Sequence, residues 1–253
     1  MDYCGRYWAL IYDQFNHGRH EKELEFYLAE ARECRGPVLE VACGTGMILL
    51  PMLREGIDAY GFDVSGEMLG TLLAKAKSEG IGDIESRVSR MDMTGFHYDR
   101  QFDSIFIPCR SFLHLTEQEK QVACLRNIRD HLTDGGKLAL NFFNPSLPSL
   151  ASRTVDADAF TPQGTYVDPS DGSSIDLSYK EINDLSNQVR QLTWRFEANG
   201  SEHLTEMGIR WIYSEEFKLL LRLAGFERWE LYGDFDKSGF TAQSDEMVWI
   251  AWK

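Results

Sequence analysis

The segment VLEVACGTGMILLP, Val38 to Pro51, holds the first residues whose types and spacing can do chemistry. A strand that ends in Ala42, Gly44 and Gly46 lets a ligand approach bare backbone, because no large side chain stands in the way. On its own such a turn also serves with no ligand at all. Two carboxylates extend the pattern. Asp63 lies about 20 residues further on, at the end of the next strand, where a carboxylate can accept from both hydroxyls of a ribose. Asp92, in RMDM, follows the third strand, on the side where open α/β sheets bind ligands. A solvated loop acid fits Asp92 equally. Leu49 stands where a NAD-binding turn prefers Gly or Ala, and Pro51 makes the next helix start late or bend. The turn therefore suits a nucleoside ligand without a pyrophosphate.

Positioning these groups takes a strand and helix alternation. Residues 7–34 carry apolar residues three or four apart, broken at Asn16 to His20 and stopped by Pro37. Val38 to Val41 and Ala59 to Asp63 read as strands. Ser65 caps a helix over Gly66 to Ser78. Ile84 to Ser89 reads as a weaker strand, and Asp103 to Cys109 as a strand buried on both faces. Thr116 and Glu119 have capping-box spacing for the next helix. Asp134-Gly135-Gly136 turns into a strand at Lys137 to Phe143. The fold expected is α/β, a doubly wound, mostly parallel seven-stranded sheet.

From Pro145 to about Tyr213 the period changes to strand alternation, with turns expected at Asn183-Asp184 and Asn199-Gly200. Residues 145–213 thus read as an antiparallel β insertion, a substrate lid, a homodimer surface or both, set in a core of residues 1–144 and 214–253. The insertion holds ten acidic residues, Asp156 and Asp158 among them, against five basic ones. Trp194 and Phe196 share one strand face and are expected to pack the insertion onto the core. Glu215 to Ala224 is helical, and Glu227 to Tyr232 with Met247 to Trp252 make a closing strand pair.

Composition narrows the classes. A net charge of -14 argues against a broad nucleic-acid footprint, which needs clustered Lys and Arg. The five cysteines, Cys4 included, form no C-x-x-C pair, and the six histidines show no metal-ligand spacing, so no metal is expected. No segment is apolar for long enough to span a bilayer, and the N-terminus does not read as a secretion signal. A reduced, cytoplasmic setting is expected.

In chain order EVACGTG, GFDVS, the acid of RMDM, FDSIFIPCRSFLHL and LTDGGKLALNFF resemble the class I S-adenosylmethionine-dependent methyltransferases, over about residues 1–145 and 210–253. IYDQF and the β-rich insertion look most like the small-molecule branch that includes sugar-amine N-methyltransferases. The resemblance implies S-adenosyl-L-methionine as cofactor. It implies that Glu40, Ala42, Gly44, Thr45 and Gly46 line the methionine part and the turn, with Asp63 on the ribose. Val64 and Met68 would sandwich the adenine, with Asp92 and Met93 at its edge. Cys109 and Arg110 would face the sulfonium. Ala42 replaces the family's usual first glycine.

Candidates on the acceptor side are fewer. Tyr12, on the helix that would lid the cofactor, is a catalytic and cofactor-binding candidate or a core position. His114 can orient a substrate or take its proton near neutral pH, or be a buried histidine bonded to backbone. Asn141, Asn144, Arg210 and Tyr213 complete the substrate-binding candidates. The expected activity is methyl transfer to an amine or hydroxyl of a small molecule. The alternatives are a non-catalytic S-adenosylmethionine binder and an RNA or protein methyltransferase; a NAD-dependent enzyme ranks last.

Overall fold

A computed structural model describes residues 5–153 and 159–253. Cys4, Asp156 and Asp158 lie outside the described residues. The main sheet has seven strands, β1 (Val38–Val41), β2 (Ala59–Asp63), β3 (Val88–Arg90), β4 (Phe102–Ile107), β5 (Leu132–Phe143), β10 (Arg228–Tyr232) and β11 (Glu246–Trp252), in the order β10-β11-β5-β4-β1-β2-β3. Pairing is parallel from β3 through β5, and β11 enters antiparallel between β5 and β10. The strand order reverses between β1 and β4, and ligands of such sheets bind at that switch point.

Helices α2 (Glu21–Arg32), α3 (Leu49–Arg54) and α4 (Gly66–Ser78) cover one face through Phe26, Tyr27, Leu50, Met52 and Leu72. On the other face α6 (Gln118–His131) and α8 (Ser214–Ala224) pack Leu125, Ile128, Phe217 and Leu221 against Phe142 and Trp249. After the short helix α7 (Leu147–Ala151), residues 161–210 build a second, four-stranded antiparallel sheet of β6 (Thr161–Val167), β7 (Ser174–Asp184), β8 (Val189–Ala198) and β9 (Ser201–Arg210). It forms a third apolar cluster with α1 (Arg6–Asn16), in which Met68 of α4 also takes part.

The expected elements shift in several places. Ile84 to Ser89 is a turn of helix, α5 (Ile84–Arg87), followed by the short β3: only three residues pair with β2, and Ile84 is buried from the helix. Helix α6 begins one residue later than the capping box requires, with Glu117 as N-cap, so Thr116 caps nothing. Asp134 to Gly136 is looped within β5, whose pairing jumps from Phe102 opposite Leu132 to Ser104 opposite Lys137. The first hairpin turn lies after Asp184, since Asn183 and Asp184 still pair with β8. Asn199 and Gly200, at φ 51° and 73°, do make the second. Trp194 and Phe196 pack the insertion onto the core as expected, through α1, both against Trp8, at 4.9 and 5.5 Å between ring centroids.

Candidate active site

The glycine turn follows β1 with left-handed backbone at Ala42 (φ 58°), Gly44 (53°) and Gly46 (82°). Helix α3 starts at Leu49, as the proline requires, so the loop stays wide. The two glycines do different work. A Cβ on Gly46 would meet Leu50 at 2.8 Å and Leu72 at 3.0 Å, so Gly46 lets the loop sit down on α3 and α4. Nothing lies within 4 Å of where a Cβ on Gly44 would stand. Its N–H donates to Asp63 Oδ2 at 2.9 Å, and the Ser65 N–H donates to Oδ1 at 2.8 Å. Asp63 is 7% exposed. Burial pushes its carboxyl up, and the amides of Ser65, Gly44 and Val64 oppose that. The carboxylate keeps lone-pair capacity for a further donor. Thr45 donates to Asp13 Oδ1 at 2.6 Å, and Lys75 pairs with Asp13 Oδ2 at 2.7 Å, which fastens α1 over the turn.

A cavity of about 570 Å³ opens in front of this turn. Ala42, Gly44, Asp63, Met68, Cys109 and Arg110 line its sheet side; Trp8, Tyr12, Phe15, Trp194, Met207 and Ile209 form an apolar wall from α1 and the insertion. A second cavity, about 730 Å³, continues past Asp92, Met93 and Leu115 and shares Asp63, Val64, Met93 and His114 with the first. Val64 is 51% exposed there, an apolar side chain at a cavity wall. Asp92 takes the amide and hydroxyl of Thr94 on Oδ1.

After β4 the backbone turns at Pro108 to Ser111, closed by the Ser111 N–H on the Pro108 carbonyl at 3.1 Å. Both central residues are left-handed, Cys109 at φ 56° and Arg110 at φ 61°. That is the pattern of a type I′ turn, which prefers Gly, Asn or Asp. Each non-glycine residue there costs roughly 1–2 kcal/mol. Two buried glutamates hold the turn. Glu23 of α2 accepts the Cys109 N–H on Oε1 at 2.6 Å, and its Oε2 meets His20 Nδ1 at 2.6 Å. Glu246 of β11 pairs with Arg110 at 2.6 and 3.2 Å and accepts from Asn141 Nδ2 at 2.9 Å. Burial, then the charges of Glu23 and Glu40, push the Cys109 thiol well up. His20, Glu23 and Cys109 also form a group with metal-ligand types, their donor atoms within 4.8 Å of one another, but these bonds already tie it together.

The structure thus brings Tyr12, Ala42, Gly44, Asp63, Val64, Met68, Asp92, Met93, Cys109, Arg110 and His114 to the joined cavities. His114 is half-buried, desolvation pushes its imidazole down, and a backbone bond at Gly208 opposes the shift. Other candidates are held elsewhere. Glu40 is 3% exposed and lines neither cavity; one carboxylate oxygen has no partner, and burial raises its carboxyl well above the usual range. Thr45 and Gly46 serve the turn itself. Asn141 accepts from the Tyr27 hydroxyl at 2.8 Å and faces Glu246, so it belongs behind the site. Asn144 donates to the Ser244 carbonyl. Arg210 is consumed by Glu216, Gln188 and the Asn187 carbonyl, and Tyr213 is the N-cap of α8. These four line neither cavity.

Sequence reasoning missed Trp8, Phe15, Arg19, His20 and Met207, which line the first cavity. Arg19 lies over the Phe15 ring at 4.4 Å. The signal was present for two of them: Arg19 and His20 sit in the break between α1 and α2, where a functional group can leave the helical face.

Comparison with known proteins agrees with this geometry. Residues 38–136 match the family model described as a methyltransferase domain. The chain is 26% identical to the cypemycin N-terminal methyltransferase of a Streptomyces species, over 83% of this chain and 80% of that one. It is 24% identical to the glycine/sarcosine N-methyltransferase of Aphanothece halophytica, over 94% of this chain and 84% of the other. It shares its fold with the CcbJ methyltransferase from Streptomyces caelestis, at a TM-score of 0.78 and 22% identity, covering 96% of this chain and 95% of that chain.

Proposed function

We propose, from the premise that the chain is a class I S-adenosylmethionine-dependent methyltransferase of the small-molecule branch, that it methylates an amine nitrogen of its acceptor. One observation carries the reading: a single cavity joins the glycine turn and Asp63 to an aromatic wall built by α1 and the insertion. The relatives named above that act on amines support nitrogen over oxygen.

The residues present fit the cofactor. Asp63 would hold the ribose on its free lone pairs, and the half-exposed Val64, with Met68 and Met93, would cover the adenine. Asp92 Oδ2 would take the exocyclic amine. Arg19, a guanidinium with an aromatic platform and no carboxylate partner among the described contacts, would meet the carboxylate of the methionine part. When bound, S-adenosylmethionine supplies an electrophilic methyl on a sulfonium.

Transfer is an in-line displacement, and the protein's part is to align the acceptor and exclude water. Proximity and orientation supply roughly 7–11 kcal/mol of such a barrier. Trp8, Tyr12, Phe15 and Trp194 are suited to that, since they close the cavity with apolar surface. His114, its imidazole pushed down by desolvation, can accept a hydrogen bond or a proton from an amine. The raised Cys109 thiol stays protonated at neutral pH, so no thiolate competes for the methyl group. In this reading the insertion is a substrate lid. The setting is cytoplasmic, consistent with four free cysteines among the described residues.

The test is calorimetric titration with S-adenosylmethionine, S-adenosylhomocysteine and NAD, on the wild type and on Asp63→Ala. A screen of small amines and alcohols with methyl-labelled cofactor follows. Micromolar binding of the two adenosyl ligands, lost in the variant and absent for NAD, is expected, with label appearing on an amine. Failure of both adenosyl ligands to bind removes the reading; label on a hydroxyl removes the nitrogen assignment.

A further inference from the structure

The turn at the end of β4 contradicts its own sequence. Two consecutive left-handed residues, Cys109 and Arg110, are neither Gly nor Asn, so local preference does not produce the turn. Tertiary contacts must hold it, and violations of this kind collect where function needs a defined backbone. One of the holding groups is unusual in what it joins. Glu23 is 3% exposed on α2. Its Oε1 accepts the Cys109 amide, and its Oε2 meets the ring of His20. Cys109 and His20 both line the methyl-transfer cavity; Glu23 does not. The His20 ring is itself fixed, because Nε2 meets Asn16 Oδ1 at 3.1 Å and Asn16 Nδ2 donates to the Tyr12 carbonyl at 2.9 Å.

We propose that Glu23 is a positioning residue of methyl transfer: through its two oxygens it locks the left-handed turn after β4 to the break between α1 and α2, and so sets the cavity wall around the reacting methyl. The proposal rests on the methyltransferase reading. Glu23 touches neither reactant; it acts through Cys109 and His20. Glu246 holds the same turn from the opposite side through the Arg110 guanidinium. The two carboxylates differ in their targets. Glu246 holds a side chain, whereas Glu23 holds the backbone whose φ is unfavourable.

The probe is S-adenosylmethionine carrying a carbon-13 methyl group, observed by NMR when bound. The bound methyl resonance reports the contacts around the reacting carbon and needs no acceptor. Wild type, Glu23→Ala and Glu23→Gln are compared with Glu30→Gln. Glu30 is an equally buried carboxylate, paired with Lys137 and Lys237 away from the cavity. The alanine variant is expected to displace the bound methyl resonance while cofactor affinity, measured by calorimetry, stays within about tenfold of wild type. The glutamine variant can keep both contacts, its oxygen accepting the Cys109 N–H and its NH2 facing the His20 ring, and should bring the resonance back toward the wild-type position. Glu30→Gln should leave it in place. An unmoved resonance in the folded alanine variant overturns the proposal, as does an equal displacement in Glu30→Gln. If the wild type binds no S-adenosylmethionine, the methyltransferase reading is what fails.

Discussion

The turn after β1 and the turn after β4 both run left-handed against the same cavity, and they reach that backbone by opposite means. After β1 the chain uses Gly44 and Gly46, residues that take positive φ without steric cost, beside a single left-handed alanine, Ala42. The partner that completes that turn, Asp63, comes from the adjacent strand. After β4 it uses Cys109 and Arg110, and the groups that hold them come from α2 and β11, at opposite ends of the chain. One turn is encoded where it lies. The other is imposed by distant residues, so its shape depends on the whole fold being assembled.

The largest effect should come from the locally encoded side. In the proposed reading Asp63→Ala removes the acceptor for two ribose hydroxyls, each charge-assisted bond worth about 1.5–3 kcal/mol, so cofactor affinity should fall about 10²–10⁴-fold by calorimetry. A loss under tenfold would mean that this turn does not hold the ribose, and the contrast would collapse. On the imposed side, Glu23→Ala should lower kcat about 10²-fold, the scale of a misplacement near 1 Å, with cofactor affinity little changed. Steady-state kinetics on the amine found by screening would read it; a pure KM effect would count against positioning.

Glu40 lies beneath the first turn and offers a smaller, pH-dependent test. Burial raises its folded carboxyl above the unfolded one, with the Asp63 charge adding to the shift. The native state then binds the Glu40 proton more tightly. Its contribution to stability is present at low pH and lost as pH rises through the raised value. Glu40→Gln has no such loss. Thermal melts should show the variant gaining on the wild type as pH rises, by about 1–3 kcal/mol where the buried charge is fully formed. A gap independent of pH would remove Glu40 as its source. Smallest is a double-mutant cycle. With Cys109→Gly in place the backbone adopts positive φ unaided, so Glu23→Ala should destabilise less than in the wild type, with a coupling of about 1 kcal/mol. Additive effects would separate Glu23 from the backbone at 109.

The same contrast explains what the sequence could reveal. The α/β alternation, the glycine turn, Asp63 and the cap at Ser65 were legible because each depends on neighbours within one strand and helix. The capping box at Thr116 misled because a spacing rule does not say which residue leaves the helix first. Asn141, Asn144, Arg210 and Tyr213 sit at strand ends or at the insertion's exit, where position suggests a site, yet the first three turn their side chains to Tyr27, Ser244 and Glu216, and Tyr213 serves as the N-cap residue of α8. Glu23 and Glu246 were illegible: they lie in ordinary helix and strand patterns, and their importance arises only from contacts made across the fold. The aromatic wall was half visible, since Trp194 was placed on the right strand face and packed on the core, but Trp8, the residue it meets, was not singled out.

Helix α1 and the antiparallel sheet share an apolar cluster of their own, separate from the two clusters that cover the main sheet. Opening along that boundary breaks few of the contacts that stabilise the seven strands. Amide protons of α1 and of β7 to β9 should therefore exchange through a shared opening of lower free energy than global unfolding, while those of β1 and β4 wait for the whole domain. Substitutions at Trp194 or Met207 would reshape the apolar wall of the cavity while leaving the Gly44 to Asp63 contact in place.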